Sequence, residues 1–412
     1  MIPRSILGKL GLLAVVAAAL LLSACGGDEE EEKATATPGA AGVATATPPG
    51  GQNTGGGEDY KIGALFAVTG FNSPLGTPER DTAKMLEDEI NAKGGVNGHK
   101  IKLVIYDTES DETKAVTLAK KLIEQDKVLA IIGPSSTGES LAIVDTVEKE
   151  KMPLISCAAS IKIVQPIKPY VFKTPQSDVL AVNEIYDYMK AKSITKVALL
   201  TASGGFGVTG KEALEAVAKE KGVEIVAAES FGDKDTDMTA QLTKIKGTSA
   251  QAVICWGTNP GPAIIAKNMK QLGITIPLYN SHGIANQKFI ELAGEAANGV
   301  IFPAGKLLVW QGLAESDPQK AVLKAYAESF QAKYGRSADT FGGHAYDALS
   351  MLVKALEQAG ADKAKIRDAL ESVKGFVGTG GVFNMSATDH NGLGKGAFVM
   401  IVIKDGKWSL AD

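Results

Sequence analysis

Residues 61–106 read KIGALFAVTGFNSPLGTPERDTAKMLEDEINAKGGVNGHKIKLVIY. The segment opens on an apolar strand over 61–68 and closes on a second over 100–106. Between them Ala83, Leu86 and Ile90 recur at helical spacing, which predicts a helix over 78–92 stopped by Gly94-Gly95. Strand, helix, strand is a unit whose two strands run parallel, because a connection of this length crosses back over the sheet. The rhythm continues. Ala115, Leu118, Ala119 and Leu122 give the next helix its apolar stripe, and short strands follow at 130–133 and 153–156. It then starts again after Thr174, with helices predicted over 179–191, 211–221 and 262–272 and strands over 196–200, 223–228, 252–255 and 276–279. Two such series predict an α/β chain of two doubly wound lobes, each a parallel sheet covered on both faces.

The tail departs from the rhythm. Helices are predicted over 318–334, 344–358 and 363–373 with no strand between them, then a strand over 397–403 turns at Asp405-Gly406 into Trp408. If the helices belong to one lobe and the terminal hairpin to the other, the chain crosses between lobes more than once and forms a hinge. The expected division is 60–174 with 304–380 for lobe 1, and 175–303 with 381–412 for lobe 2.

The first 59 residues read as export and tethering. Arg4 and Lys9 precede an apolar run over 10–22, too short to span a bilayer of ~30 Å, and Leu22-Ser23-Ala24-Cys25 closes it. This arrangement looks like a bacterial lipoprotein box, with 1–24 as the signal peptide and Cys25 lipidated. An ordinary cleaved signal is the alternative. Residues 26–59 combine an acidic run with Thr-Pro and Gly-rich sequence, so they are expected to stay disordered and to reach roughly 30 Å as a coil. The expected setting is the cell envelope, facing the periplasm or exterior.

The body from residue 60 is long enough for two domains of ordinary size. Hydrophobic residues at 45% and charged residues at 22% are normal globular usage, and a net charge of −4 excludes the basic footprint of a nucleic-acid binder. Cys157 and Cys255 are left after Cys25, as two buried free thiols or as a disulfide. No GxSxG, HExxH, GxxxxGK[ST] or CxxC motif is present, and the four histidines lack metal-ligand spacing, so neither catalysis nor a cofactor is expected. The run GFGVTG at 205–210 matches a dinucleotide fingerprint, yet its expected place outside the membrane makes a nicotinamide cofactor a poor fit. Asp389-His390 reads as a polar turn before the last strands rather than a metal site.

In open parallel sheets ligands sit beyond the carboxyl ends of the strands. That rule selects loops 69–76, 133–138, 156–160, 201–206, 256–260 and 280–284, whose residues are hydrogen-bonding and apolar rather than nucleophilic. Ser135, Ser136 and Thr137 lie just before a helix, where hydroxyls and free amides receive a carboxylate, or simply cap the helix. Phe206 and Trp256 are placed to wall an apolar pocket.

At these loops the chain resembles the branched-chain amino acid type of periplasmic solute-binding protein, the receptor of ATP-binding-cassette importers. The resemblance runs over about 60–408. It is carried by Ile62-Gly63 through Gly70, INAKGGVNG at 90–98, GPSST at 133–137, Phe206-Gly207, Leu292-Ala293-Gly294 and His344-Ala345-Tyr346-Asp347. It implies the type I periplasmic binding protein fold, two Rossmann-like lobes joined by three crossovers and closing on a ligand in a hinged cleft. It also implies a monomer that delivers a small molecule to a permease. Ser135-Ser136-Thr137 and the Ala158-Ala159-Ser160 loop fall where the family grips a carboxylate. Leu75, Phe206, Trp256 and Gly257 fall along its side-chain pocket. Amino-acid binders of the family carry an acid before Gly-Val/Ile to pair with the α-ammonium, and here that position is His282. The departure suits a keto or aromatic acid better than an amino acid. A sensor domain of the same fold is the alternative; it would more often be fused to a spanning or output segment, and none follows Asp412.

Overall fold

The computed structural model describes residues 57–411. The signal segment, Cys25 and nearly all of the tether lie outside the described residues. Strand β1 (Tyr60–Phe66) leads into α1 (Ser73–Ala92), β2 (Ile101–Asp107), α2 (Glu112–Lys121), β3 (Ile131–Ile132), α3 (Thr137–Lys149), β4 (Leu154–Ser156) and β5 (Val171–Lys173). These strands form one parallel sheet in the order β2-β1-β3-β4-β5. Successive side chains of β1 serve opposite faces, as strand geometry demands. Ile62, Ala64 and Phe66 enter a core shared with Leu349 and Leu352, while Leu65 enters another with Ile143 and Val147.

The second series is α4 (Asp178–Ala191), β6 (Lys196–Ala202), α5 (Gly205–Lys221), β7 (Glu224–Phe231), α6 (Thr239–Lys246), β8 (Ala252–Trp256), α7 (Gly261–Gln271), β9 (Leu278–Asn280), α8 (Gln287–Ala293) and β10 (Ile301–Ala304). Its parallel strands run β7-β6-β8-β9-β10, which repeats the order of the first sheet. In both sheets the order reverses beside the first strand, between β1 and β3 and between β6 and β8. Those two switch points are where open α/β sheets leave a crevice.

Helices α9 (Lys320–Tyr334), α10 (Thr340–Ala359) and α11 (Lys363–Glu371) follow, then the short pair β11 (Phe376–Val377) and β12 (Val382–Phe383), and the hairpin β13 (Val399–Lys404) and β14 (Lys407–Leu410). Helix α10 packs on the first core and the hairpin extends the second sheet, so the chain crosses between lobes three times. Gln176 ties the crossovers together, its Nε2 donating to the carbonyls of Gly380 (2.7 Å) and Ala397 (3.1 Å). The sequence division at 380/381 differs from the packing. Phe383, Met385, Leu393 and Ala397 sit in the first core, and Phe398 and Met400 in a core of the second lobe. Cys157, just after β4, and Cys255, within β8, are buried free thiols.

Helix α1 starts five residues before its predicted beginning at 78, with Pro74 in its first turn and Pro78 inside it. Pro78 has no N–H for the carbonyl of Pro74. That carbonyl instead accepts a hydrogen bond from Asn286 Nδ2 of the second lobe at 2.9 Å. Helix α5 likewise starts at Gly205 rather than 211. The glycines of GFGVTG let it lie close. A Cβ on Gly207 would stand 1.9 Å from the Ala202 carbonyl, and one on Gly210 2.0 Å from Trp256 Nε1.

Candidate ligand-binding cleft

The carboxyl ends of both sheets face each other across a narrow cleft with room for about 80 Å³. The segments after β1, β3 and β4 supply Leu75, Ser135, Ser136, Thr137, Ala158 and Ala159, and those after β6, β8 and β9 supply Phe206, Gly257 and His282, with Leu75, Thr137 and Phe206 in the first turns of α1, α3 and α5. Nine of the eleven residues singled out from sequence therefore meet at one cavity. The lobes touch across it. A Cβ on Gly205 would stand 2.9 Å from the Gly138 Cα, and Thr258 Oγ1 donates to Asn72 Oδ1 at 3.3 Å.

Two expected residues stand back from the cavity. Ser160 is buried and caps the short helix Ile161–Ile163, accepting from the Lys162 amide at 3.2 Å. Trp256 is fully buried behind the wall, with ring centroids 5.6 Å from Phe206 and 5.9 Å from His282.

The serines of the 135–137 loop are occupied. Ser135 Oγ accepts from the Ala67 amide (3.0 Å) and donates to the buried carboxyl of Glu79. Ser136 is the N-cap of α3 and forms a capping box with Glu139. Thr137 is different: the residue is 2% exposed and its buried hydroxyl has no hydrogen-bond partner. As the first two residues of α3, Thr137 and Gly138 also have amides without an intrahelical acceptor, at the positive end of the helix dipole. A carboxylate fits there.

The opposite wall is aromatic around His282, with Asp233 at its mouth. His282 packs against Phe206, Trp256 and Phe398, and neither of its ring nitrogens has a partner. Burial, then the Lys173 charge, depresses its pKa to about 3. His344 of α10 also lines the cleft, with an unpartnered Nδ1 and a pKa likewise depressed to about 3 by burial, then by His282 and Lys173. Both imidazoles are neutral at physiological pH. Each offers one donor and one acceptor to a hydrogen-bonding group, and no charge to an ion.

The sequence reading missed Glu112, Asp233 and His344. Glu112 and Asp233 line the mouth after β2 and β7, where the strand-end rule would have found them had those loops been included. His344 reaches the cleft only through the crossover that brings α10 back to the first lobe.

The chain belongs to the periplasmic binding protein family, whose model matches residues 59–407. It is a solute-binding protein of the extracytoplasmic type. It is 27% identical over 318 residues to the leucine-, isoleucine-, valine-, threonine- and alanine-binding protein of Pseudomonas aeruginosa, covering 76% of this chain and 82% of that one. Among solved structures, an extracellular ligand-binding receptor from Rhodopseudomonas palustris HaA2 matches with TM-score 0.81 at 27% identity, covering 86% of this chain and 99% of that one. The branched-chain amino acid transporter substrate-binding protein of Streptococcus pneumoniae, in complex with isoleucine, matches with TM-score 0.76 at 29% identity, covering 85% and 97%. Among the described residues no helix is long and apolar enough to cross a membrane, and no group of three or more ligating side chains is placed to hold a metal.

Proposed function

We propose that this protein is a lipid-anchored receptor of an ATP-binding-cassette importer, which closes on a small carboxylate and presents it to a membrane permease. The ligand's carboxylate sits at the α3 N-terminus, on the Thr137 hydroxyl and the free amides. The observation that carries the ligand class is His282. A buried ammonium needs a carboxylate partner, and a neutral imidazole with two open nitrogens suits a carbonyl or hydroxyl instead. The favoured ligand is therefore a keto or aromatic acid. Closure is a rigid-body rocking of the lobes about the three crossovers.

One observation favours an amino acid. Glu112 and Asp233, one from each lobe, line the mouth, and burial, then the Glu112 charge, raises the Asp233 carboxyl. An α-ammonium between them would relieve that repulsion.

Thermal unfolding of the intact chain separates the readings. Matched pairs differ only at the ammonium: leucine with 4-methyl-2-oxopentanoate, phenylalanine with phenylpyruvate. A ligand at 100 times its Kd adds about 2.7 kcal/mol. Stabilisation by the keto acids and not the amino acids is the expected result; the reverse moves the ammonium to Glu112 and Asp233 and ends the organic-acid reading.

A further inference from the structure

A buried lysine lies beneath the floor of the cleft. Lys173 ends β5, where it pairs in the ladder with Ser156 of β4, just before the Cys157–Ala159 stretch that lines the cavity. Its side chain is fully buried, and Nζ donates to the carbonyl of Pro175 at 2.5 Å. Pro175 itself lines the cleft.

The acids near Lys173 are turned to other work. Asp178 Oδ1 accepts from the amides of Ile161 (3.1 Å) and Val179 (2.9 Å), and its Oδ2 has no hydrogen-bond partner. Asp389 Oδ1 accepts from the amides of Asn391 (3.0 Å) and Gly392 (2.9 Å). Neither makes an ion pair with Lys173 among the described residues. His390, on the same side, spends its Nδ1 on the Val171 carbonyl. His282 and His344 face it from the cleft as neutral rings. A buried ammonium without a carboxylate in contact is expensive, and an anion arriving nearby offsets that expense.

We infer that Lys173 is the counter-charge for the bound carboxylate, so that the cleft selects ligands of net negative charge and takes up a proton together with them. The inference rests on the organic-acid reading above and names the charge state of its ligand. Burial holds the Lys173 pKa down to about 7, against the pull of Asp178 and Asp389. Above that pH the side chain is largely neutral without ligand, and a bound anion restores its proton. Linkage then weakens binding of a monoanion by up to about tenfold per pH unit as pH rises past about 7. A zwitterion brings its own cation and gains less from Lys173.

Isothermal titration of the intact chain with 4-methyl-2-oxopentanoate and with leucine, near pH 8 in buffers of different ionisation enthalpy, reads the proton directly. Uptake close to one proton per keto acid is expected. Lys173→Arg should keep keto-acid binding within a few-fold and abolish the uptake, because arginine does not titrate. Lys173→Met should lose tenfold or more in keto-acid affinity, together with its pH dependence. Keto-acid binding without proton uptake, or uptake that survives in Lys173→Arg, overturns the role of Lys173 and leaves the receptor reading standing. Binding of leucine alone overturns the organic-acid reading and this inference with it. Binding of neither overturns the small-carboxylate reading on which both depend.

Discussion

Three adjacent hydroxyls, Ser135, Ser136 and Thr137, look equivalent in sequence, and the structure gives them three jobs. Ser135 braces Glu79, Ser136 caps α3, and Thr137 faces the cleft with nothing bonded to its oxygen. Thr137→Val is expected to weaken ligand binding about tenfold, the worth of a hydrogen bond to a charged group, with no measurable loss of stability. Ser136→Ala should do the reverse, costing about 1 kcal/mol of stability while affinity holds within a few-fold. Paired titration calorimetry and urea denaturation check both. Part of this division was legible: Ser136-Thr137-Gly138-Glu139 spells a capping box. The role of Ser135 was not, because Glu79 is 56 residues away and reaches it only through the packing of α1.

At the scale of elements, the alternation of strands and helices was readable because the central strands β1, β6 and β8 are buried almost throughout and the helices carry an apolar stripe. What escaped were short pieces. β5 and β10 have no periodicity long enough to declare themselves, and α1 begins at Ser73 because proline is tolerated in a first turn. The run GFGVTG shows how a motif can be right in shape and different in purpose. Its glycines seat α5 against β6 and against the Trp256 indole rather than around a pyrophosphate. Gly210→Ala would set a methyl 2.0 Å from Trp256 Nε1, and the indole is fully buried, so it has nowhere to retreat. A loss of about 1–3 kcal/mol is expected, measured by urea denaturation. Binding should weaken as well, since the same indole backs Phe206 and His282.

For the whole molecule, buried charge sets the response to pH. His282 and His344 have folded pKa values below the unfolded one, so their contribution is complete above about 6.5 and is lost as pH falls toward 3. Burial acts oppositely on Glu79, Glu139, Asp178, Asp339 and Asp347, whose folded values are raised. Their contribution is complete below about pH 4 and is lost as pH climbs through the folded value. The carboxyls outnumber the imidazoles, so the urea midpoint should be higher near pH 5 than near pH 7.5. Asp339→Asn keeps the α10 cap bonded to the Gly342 amide and removes a carboxyl raised to about 7. It should narrow the difference between the two conditions by up to about 2 kcal/mol. None of this was visible in the sequence, where these acids look like any others. Only the fold decides which of them lose their water.

The gap left in α1 by Pro78 has a consequence for how the two halves find each other. A carbonyl shut inside an ordinary helical ladder is unavailable to anything outside it, whereas that of Pro74 is on offer. When the halves part, water can take it, and when they meet Asn286 does. Exchanging one neutral partner for another changes the free energy little. The contact therefore adds almost no grip and works as an alignment mark, satisfied at one angle of approach and indifferent to what lies in between.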